Sequence, residues 1–148
     1  MADPTGTTRI TTVGTVFVPV ADQDRALAFY VDTLGFQLRG DLPYSGGRWV
    51  EVAPPGSANV LALVPPSEGR AAATDQTICA FGSTDIDADY ATLRARGIDM
   101  DAEIGRAGTS RPGLIALDAR ISDPQPPQFS FRDPDGNRFL IVQAPPAA

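Results

Sequence analysis

A chain of 148 residues, 43% apolar and 20% charged, has the size and composition of one soluble globular domain with a real core. No apolar run approaches the ~20 residues that a membrane-spanning helix needs. The net charge is −6, every basic residue is arginine, and there is neither histidine nor lysine. That removes imidazole acid–base and Schiff-base chemistry and disfavours nucleic acid, whose phosphates call for a basic patch.

Thr12 to Val20 alternates and is rich in β-branched residues, so it is predicted to be a strand. Asp22 is placed to cap a helix, with Asp24 at the positive end of the helix dipole. Leu27, Tyr30, Val31 and Leu34 then recur at i, i+3, i+4 and i+7 on one face, and Gly35 supplies a left-handed stop. Three strands follow, Phe36 to Leu42, Arg48 to Ala53 and Ala58 to Val64, punctuated by Gly46-Gly47 and Pro54-Pro55-Gly56. Pro65 to Asp75, poor in large apolar residues, is expected to be a linker.

The order then restarts. Thr77 to Gly82 is a strand, and Thr84 with Asp87 three residues on has the arrangement of a capping box, while Asp85 is itself a cap residue. Ile86, Tyr90 and Leu93 mark the buried face of the helix, and Gly97 ends it. Strands are predicted around Asp101 to Arg106, from Phe129 to Arg132 and from Phe139 to Gln143. The last two are joined by Asp133-Pro134-Asp135-Gly136-Asn137, whose Asp-Gly step suits a tight turn. The stretch 107–128 is longer than a hairpin connection requires. Its apolar run Leu114 to Leu117 makes it a pocket lid, a dimer contact or a disordered loop.

The two halves share one order, strand, helix, then strands, and Asp22 to Gly35 is spaced much like Asp85 to Gly97, which is the signature of a duplicated unit. The first copy opens Thr15-Val16-Phe17-Val18-Pro19-Val20-Ala21-Asp22 and ends its helix at Leu34-Gly35-Phe36. The second opens Ile78-Cys79-Ala80-Phe81-Gly82-Ser83-Thr84-Asp85 and closes on the Asp133 to Asn137 turn and the strand Phe139 to Gln143. Together these resemble the vicinal oxygen chelate superfamily, which holds glyoxalase I, extradiol dioxygenases, fosfomycin-resistance enzymes and bleomycin-resistance proteins. The resemblance covers about Thr11 to Gln143. It implies an α+β fold in a single domain, 1–148. Two βαβββ modules, about 11–64 and 76–143, would be joined by a linker at about 65–75 and form a cup-shaped half-barrel of mixed β-sheet with the helices outside.

Metalloenzymes of that superfamily place a ligand histidine seven residues before the aspartate that starts the helix, and a carboxylate just after the Asp-Gly-Asn turn. Here the matching positions are Thr15, Ile78 and Leu140. Glu51 is the one ligand-type side chain left, and nothing in the spacing of Glu103 or Gln143 aims them at it. One carboxylate does not hold a catalytic divalent ion, which takes about three protein ligands and an open position. No metal and no other cofactor is therefore expected.

Strand alternation supplies a candidate lining instead. Thr15 shares a face with Phe17, Trp49 with Glu51, and Arg138 with Leu140; Ile78 lies in the opening strand of the second module. Phe129 and Phe131 share a face that the sequence leaves open. An apolar surface with large rings and few polar groups is the usual form of a small-molecule site. Each residue also has a structural alternative: the rings and Tyr30 as core, Glu51 in an ion pair with Arg48 or another arginine, Cys79 as a small buried hydrophobe. The leading expectation is a metal-free, non-catalytic protein that sequesters an antibiotic or another aromatic, hydrophobic or cationic ligand. As the resemblance to bleomycin-resistance proteins implies, it would be a homodimer with crevices formed by both subunits. The alternatives are a glyoxalase-like lyase, isomerase or dioxygenase using Glu51 as general base, and a non-catalytic protein-interaction module. Met1 to Arg9 lacks the layout of a signal peptide, so a cytoplasmic location without membrane association is expected.

Overall fold

The computed structural model describes residues 6, 8–44, 46–66, 77–106 and 126–145, with Tyr44 described in its backbone alone. Most of the predicted linker, and the Leu114 to Leu117 run within 107–125, lie outside these residues. The first module runs β1 (Thr15–Pro19), α1 (Gln23–Leu27), β2 (Gln37–Tyr44), β3 (Gly47–Ala53) and β4 (Val60–Val64). The second runs β5 (Thr77–Ser83), α2 (Ile86–Ala95), β6 (Asp99–Met100), β7 (Gln128–Arg132) and β8 (Arg138–Gln143). Each makes an open four-stranded sheet, ordered β1-β4-β3-β2 and β5-β8-β7-β6. The opening strand pairs parallel to the last, and the other neighbours are antiparallel. The fold is thus α+β, built of two βαβββ modules, as the duplicated pattern implies.

Local chemistry explains the helix starts. Asp22 caps α1 by accepting from the Arg25 N–H at 3.0 Å. In α2 the cap is Asp85, which accepts from Ala88 N–H, and not Thr84 as the capping-box spacing suggested. Gln143 does the rest from β8: its Oε1 accepts from Ile86 N–H and its Nε2 donates to the Thr84 carbonyl. A side chain considered as an oxygen donor for a metal is therefore committed to a helix end. Gly35 and Gly97 stop the two helices in the left-handed region, at φ of 80° and 73°.

The first helix departs from its predicted face. After Leu27 it widens into a π-helical stretch, Ala28–Thr33, in which Leu34 N–H reaches back five residues to the Phe29 carbonyl at 2.9 Å. The wide turn re-phases the helix, so Ala26, Phe29 and Tyr30 are buried while Leu27, Val31 and Leu34 are only partly so. The strand expected around Asp101 to Arg106 is also corrected. Pairing ends at Met100 because Asp101 turns its own carboxylate onto the Ser130 N–H at 2.8 Å, and only an isolated bridge, Gly105 to Gln128, continues the edge.

One hydrophobic core serves both modules. Val18, Val50, Val52, Leu61 and Leu63 cover it from the first sheet, and Phe129, Phe131, Phe139 and Ile141 from the second. Phe29 meets Phe131 at 6.2 Å, Tyr30 meets Phe139 at 6.0 Å, and Phe36, just before the edge strand β2, meets Phe81 of β5 at 5.2 Å. The helix-side faces of the two sheets therefore look toward each other, and each sheet turns its other, open face away from the core. Cys79 packs against this core, and burial pushes its thiol up to about 11, which makes it a poor nucleophile.

A polar knot ties the modules together beside the aromatic contacts. Asp133 accepts from the Tyr30 hydroxyl at 2.7 Å, from Asn137 Nδ2 at 2.9 Å, and from the backbone N–H groups of Asp135 and Asn137. Asn137 Nδ2 also donates to the Pro19 carbonyl, and Asp135 accepts from Ala21 N–H and from the Arg25 guanidinium at 2.7 Å. The turn after β7 is thus bound to the junction of β1 and α1. Burial holds the Tyr30 hydroxyl well above its usual range, with the Asp133 charge adding to the effect, so it stays protonated and able to donate.

Candidate functional site

Alternation along β1 and β3 sends Val16, Val18, Val50 and Val52 toward the helix side and leaves Thr15, Phe17, Trp49 and Glu51 on the open face of the first sheet. The strand register aligns them. Phe17 lies opposite Ala62 of β4, Ala62 opposite Glu51 of β3, and Glu51 opposite Gly40 of β2. The neighbouring pair on the same face is Leu42 and Trp49. Phe17 and Trp49 meet edge to face, with ring centroids 6.0 Å apart. The indole Nε1 donates to Glu51 Oε1 at 2.8 Å. Phe17, on the edge strand β1, is nonetheless 58% exposed, and Leu42, on the opposite edge strand β2, 63%, a large share for apolar side chains.

Among the described residues the ion pair considered for Glu51 does not form. Arg48 holds Asp41 with two parallel bonds of 2.7 Å and reaches Asp24 with a third. That grip lowers the Asp41 carboxyl from its usual range. Among the described residues Glu51 keeps the Trp49 indole as its hydrogen-bond partner.

The predicted residues of the second module lie elsewhere. Arg138 and Leu140 are on the open face of the second sheet, Leu140 opposite Ala80, and Arg138 donates from Nε to Thr77 Oγ1 at 3.1 Å. Ile78 sits where the β5 register slips by one residue, partly buried against the core. Phe129 and Phe131, whose face was undecided, point the opposite way to Leu140: they are 1% and 0% exposed, paired with Ile141 and Phe139. Both belong to the core, which removes them from a lining shared with Leu140. The signal was available, since Gln128-Phe129-Ser130-Phe131-Arg132 alternates strictly and the apolar phase of such a strand faces inward.

Within one chain the structure thus assembles Thr15, Phe17, Trp49 and Glu51, and holds Arg138 and Leu140 on a separate face. Sequence reasoning missed Leu42, Ala62 and Gly40, which complete the first face; cross-strand register, invisible in a single sequence, brings them there. A cleft of about 210 Å³ does lie between the modules, lined by Leu34, Phe36, Phe81, Phe131, Ser83 and Asp89 among others. Its polar rim is largely self-satisfied, with Ser83 Oγ donating to Asp89 at 2.6 Å. A bound metal does not suit the described residues. Thr15, Ile78 and Leu140 occupy the positions of ligands, and among the described residues no three of His, Cys, Asp or Glu gather at one point.

A two-module α+β scaffold with an aromatic, carboxylate-bearing open face defines a class of protein, and the family comparison agrees with it. Residues 12–141 match the Glyoxalase/Bleomycin resistance protein/Dioxygenase superfamily, and the chain belongs to that superfamily. It is similar to TnmS3, an antibiotic binding protein from Streptomyces sp. CB03234, at 34% identity over 94% of this chain and 100% of that one, with a TM-score of 0.71. A superfamily member from Sphaerobacter thermophilus is 30% identical, covering 93% and 100% of the two chains, with a TM-score of 0.73. YurT, an uncharacterized protein of Bacillus subtilis, is 33% identical over 133 residues, 84% of this chain and 92% of its own length. Among the described residues no helix is long and apolar enough to cross a membrane.

Proposed function

We propose that this protein binds an aromatic small molecule, such as an antibiotic, and sequesters it without metal and without altering it. The observation that carries this is the pair of Phe17 and Trp49 beside Glu51 on a sheet face that the described residues leave uncovered. A solvent-facing ring such as Phe17, with a half-buried indole beside it, gains most when a flat apolar ligand covers the pair. Similarity to an antibiotic-binding protein over nearly the whole chain supports the same reading. The crevice is completed by a second copy, whose open second-sheet face, with Arg138 and Leu140, supplies the opposite wall. A homodimer would thereby carry two equivalent crevices.

The test is a thermal-shift panel of aromatic antibiotics. A ligand at 100 times its Kd adds about 2.7 kcal/mol to stability, roughly 5–10 °C for a chain of this size. The ligand recovered afterwards should have unchanged mass. No stabiliser in the panel, or a chemically modified product, counts against sequestration. Sedimentation should give a dimer, and a monomer at micromolar concentration counts against the shared crevice. Trp49→Ala is expected to weaken binding by about 30-fold, about 2 kcal/mol, with stability changed by no more than about 1 kcal/mol because the residue is not part of the shared core. Binding isotherms and urea unfolding of the same variant separate the two effects.

A further inference from the structure

We infer that the ligand of the open face carries a protonated amine and that Glu51 receives it. This rests on the proposal that the face is a small-molecule site, and it adds the chemical class of the guest. The carboxylate is held at the floor of the sheet, with the indole of Trp49 donating to Oε1 at 2.8 Å. The second oxygen, Oε2, looks over Gly40, where a side chain would begin 3.6 Å away but none exists. On the other side the register neighbour is Ala62, which carries only a methyl group and is itself fully buried. Glu51 therefore sits in a notch between two minimal residues, walled by Trp49 and, beyond Ala62, by the ring of Phe17.

Among the described residues the charge of that notch is left unmatched. The arginine next but two in sequence, Arg48, is committed to Asp41 and Asp24. Arg39, beside Gly40, donates to the Pro54 carbonyl. Lysine is absent from the sequence. A carboxylate fixed on its apolar side by an indole and open on the other is a strong acceptor for an ammonium N–H, and ring faces alongside add cation–π attraction. An anionic ligand would instead meet like charge, both locally and from a chain of net charge −6. A neutral aromatic would gain the rings and leave the second carboxylate oxygen, Oε2, desolvated without a donor.

Three probes that share one ring system separate these cases: 1-naphthylmethylammonium, 1-naphthalenemethanol and 1-naphthoate, each measured by equilibrium dialysis against the full chain at low salt. The ammonium is expected to bind about tenfold or more tighter than the alcohol, and the carboxylate weakest. Glu51→Gln keeps an oxygen for the Trp49 indole and should bring the ammonium to the level of the alcohol, with the melting temperature unchanged. Gly40→Ala, which fills the notch at van der Waals distance without straining the backbone, should weaken the ammonium several-fold and leave the alcohol nearly as before. Equal binding of all three probes, lost in Trp49→Ala, would keep the small-molecule site and overturn the amine. Binding of none overturns both. Preference for the ammonium that survives Glu51→Gln places the charge recognition elsewhere and overturns the role of Glu51.

Discussion

Asp133→Ala is expected to cost about 4 kcal/mol of folding stability, roughly 8–16 °C in melting temperature for a domain of this length. The substitution removes the acceptor for four donors at once: the Tyr30 hydroxyl, Asn137 Nδ2 and two backbone N–H groups. Asp133 is 5% exposed and Tyr30 is fully buried, so water does not readily replace what is lost. Each stranded buried donor costs about 1–3 kcal/mol, and a network loses more than one bond at a time. The knot also joins the modules, so its loss should loosen the contact between the Asp133 to Asn137 turn and the start of α1.

The cost has a pH dependence of definite sign. Burial raises the Asp133 carboxyl above its usual range, and bonds from Asn137 and Tyr30 offset part of that rise. A carboxyl whose folded value lies above its unfolded one binds its proton first in the folded state. Its contribution is fully present below the unfolded value of about 3.9 and is lost as the pH rises through the raised folded value. The gap in stability between the native protein and Asp133→Ala should therefore widen as the pH is lowered from neutral toward that range. Urea unfolding at a series of pH values measures it. A gap below about 1 kcal/mol, or one that narrows on acidification, would contradict the account of the knot.

The second large effect is Phe131→Ala, with an expected loss of about 3–5 kcal/mol. Phe131 is fully buried, stacked on Phe81 and Phe139 at 6.3 and 5.4 Å, and touched by Phe29 from the other module. The cavity it would leave is lined by rings that cannot collapse far. Phe17→Ala is the contrasting control: its ring is 58% exposed, and the change should move stability by less than about 1 kcal/mol while weakening ligand binding. If the two variants lose similar stability, the division into core and open face is wrong.

Local features of this fold were legible because they depend on neighbours in sequence. Asp22 and Gly35 announce a helix start and stop, and β-branched runs between turns announce strands, since capping and backbone preference act within a few residues. Faces were harder. In β8 the sequence Arg138-Phe139-Leu140-Ile141-Val142 is apolar in both phases, so alternation alone does not say which side meets the core. The bulge in β5 around Ile78 shifts the phase again, which is why a position matched by spacing does not come to line the face that spacing implied. Of the candidate site, the set Thr15, Phe17, Trp49 and Glu51 was readable from period two in two strands. That the other half is turned away, behind a shared core, is a property of module packing over long range and has no local signature.

The widened turn in the first helix carries a consequence for how the chain tolerates change. Leu34 bonds five residues back, so the segment holds one residue more than an ordinary helix of the same height. Deleting a single residue between Ala28 and Thr33 would give a more regular helix and, by itself, a better hydrogen-bonded one. It would also rotate everything downstream by about a quarter turn, swinging Phe36 off Phe81 and unthreading the seam between the modules. The irregularity works as a vernier: local perfection is surrendered so that two repeats arrive at one common setting.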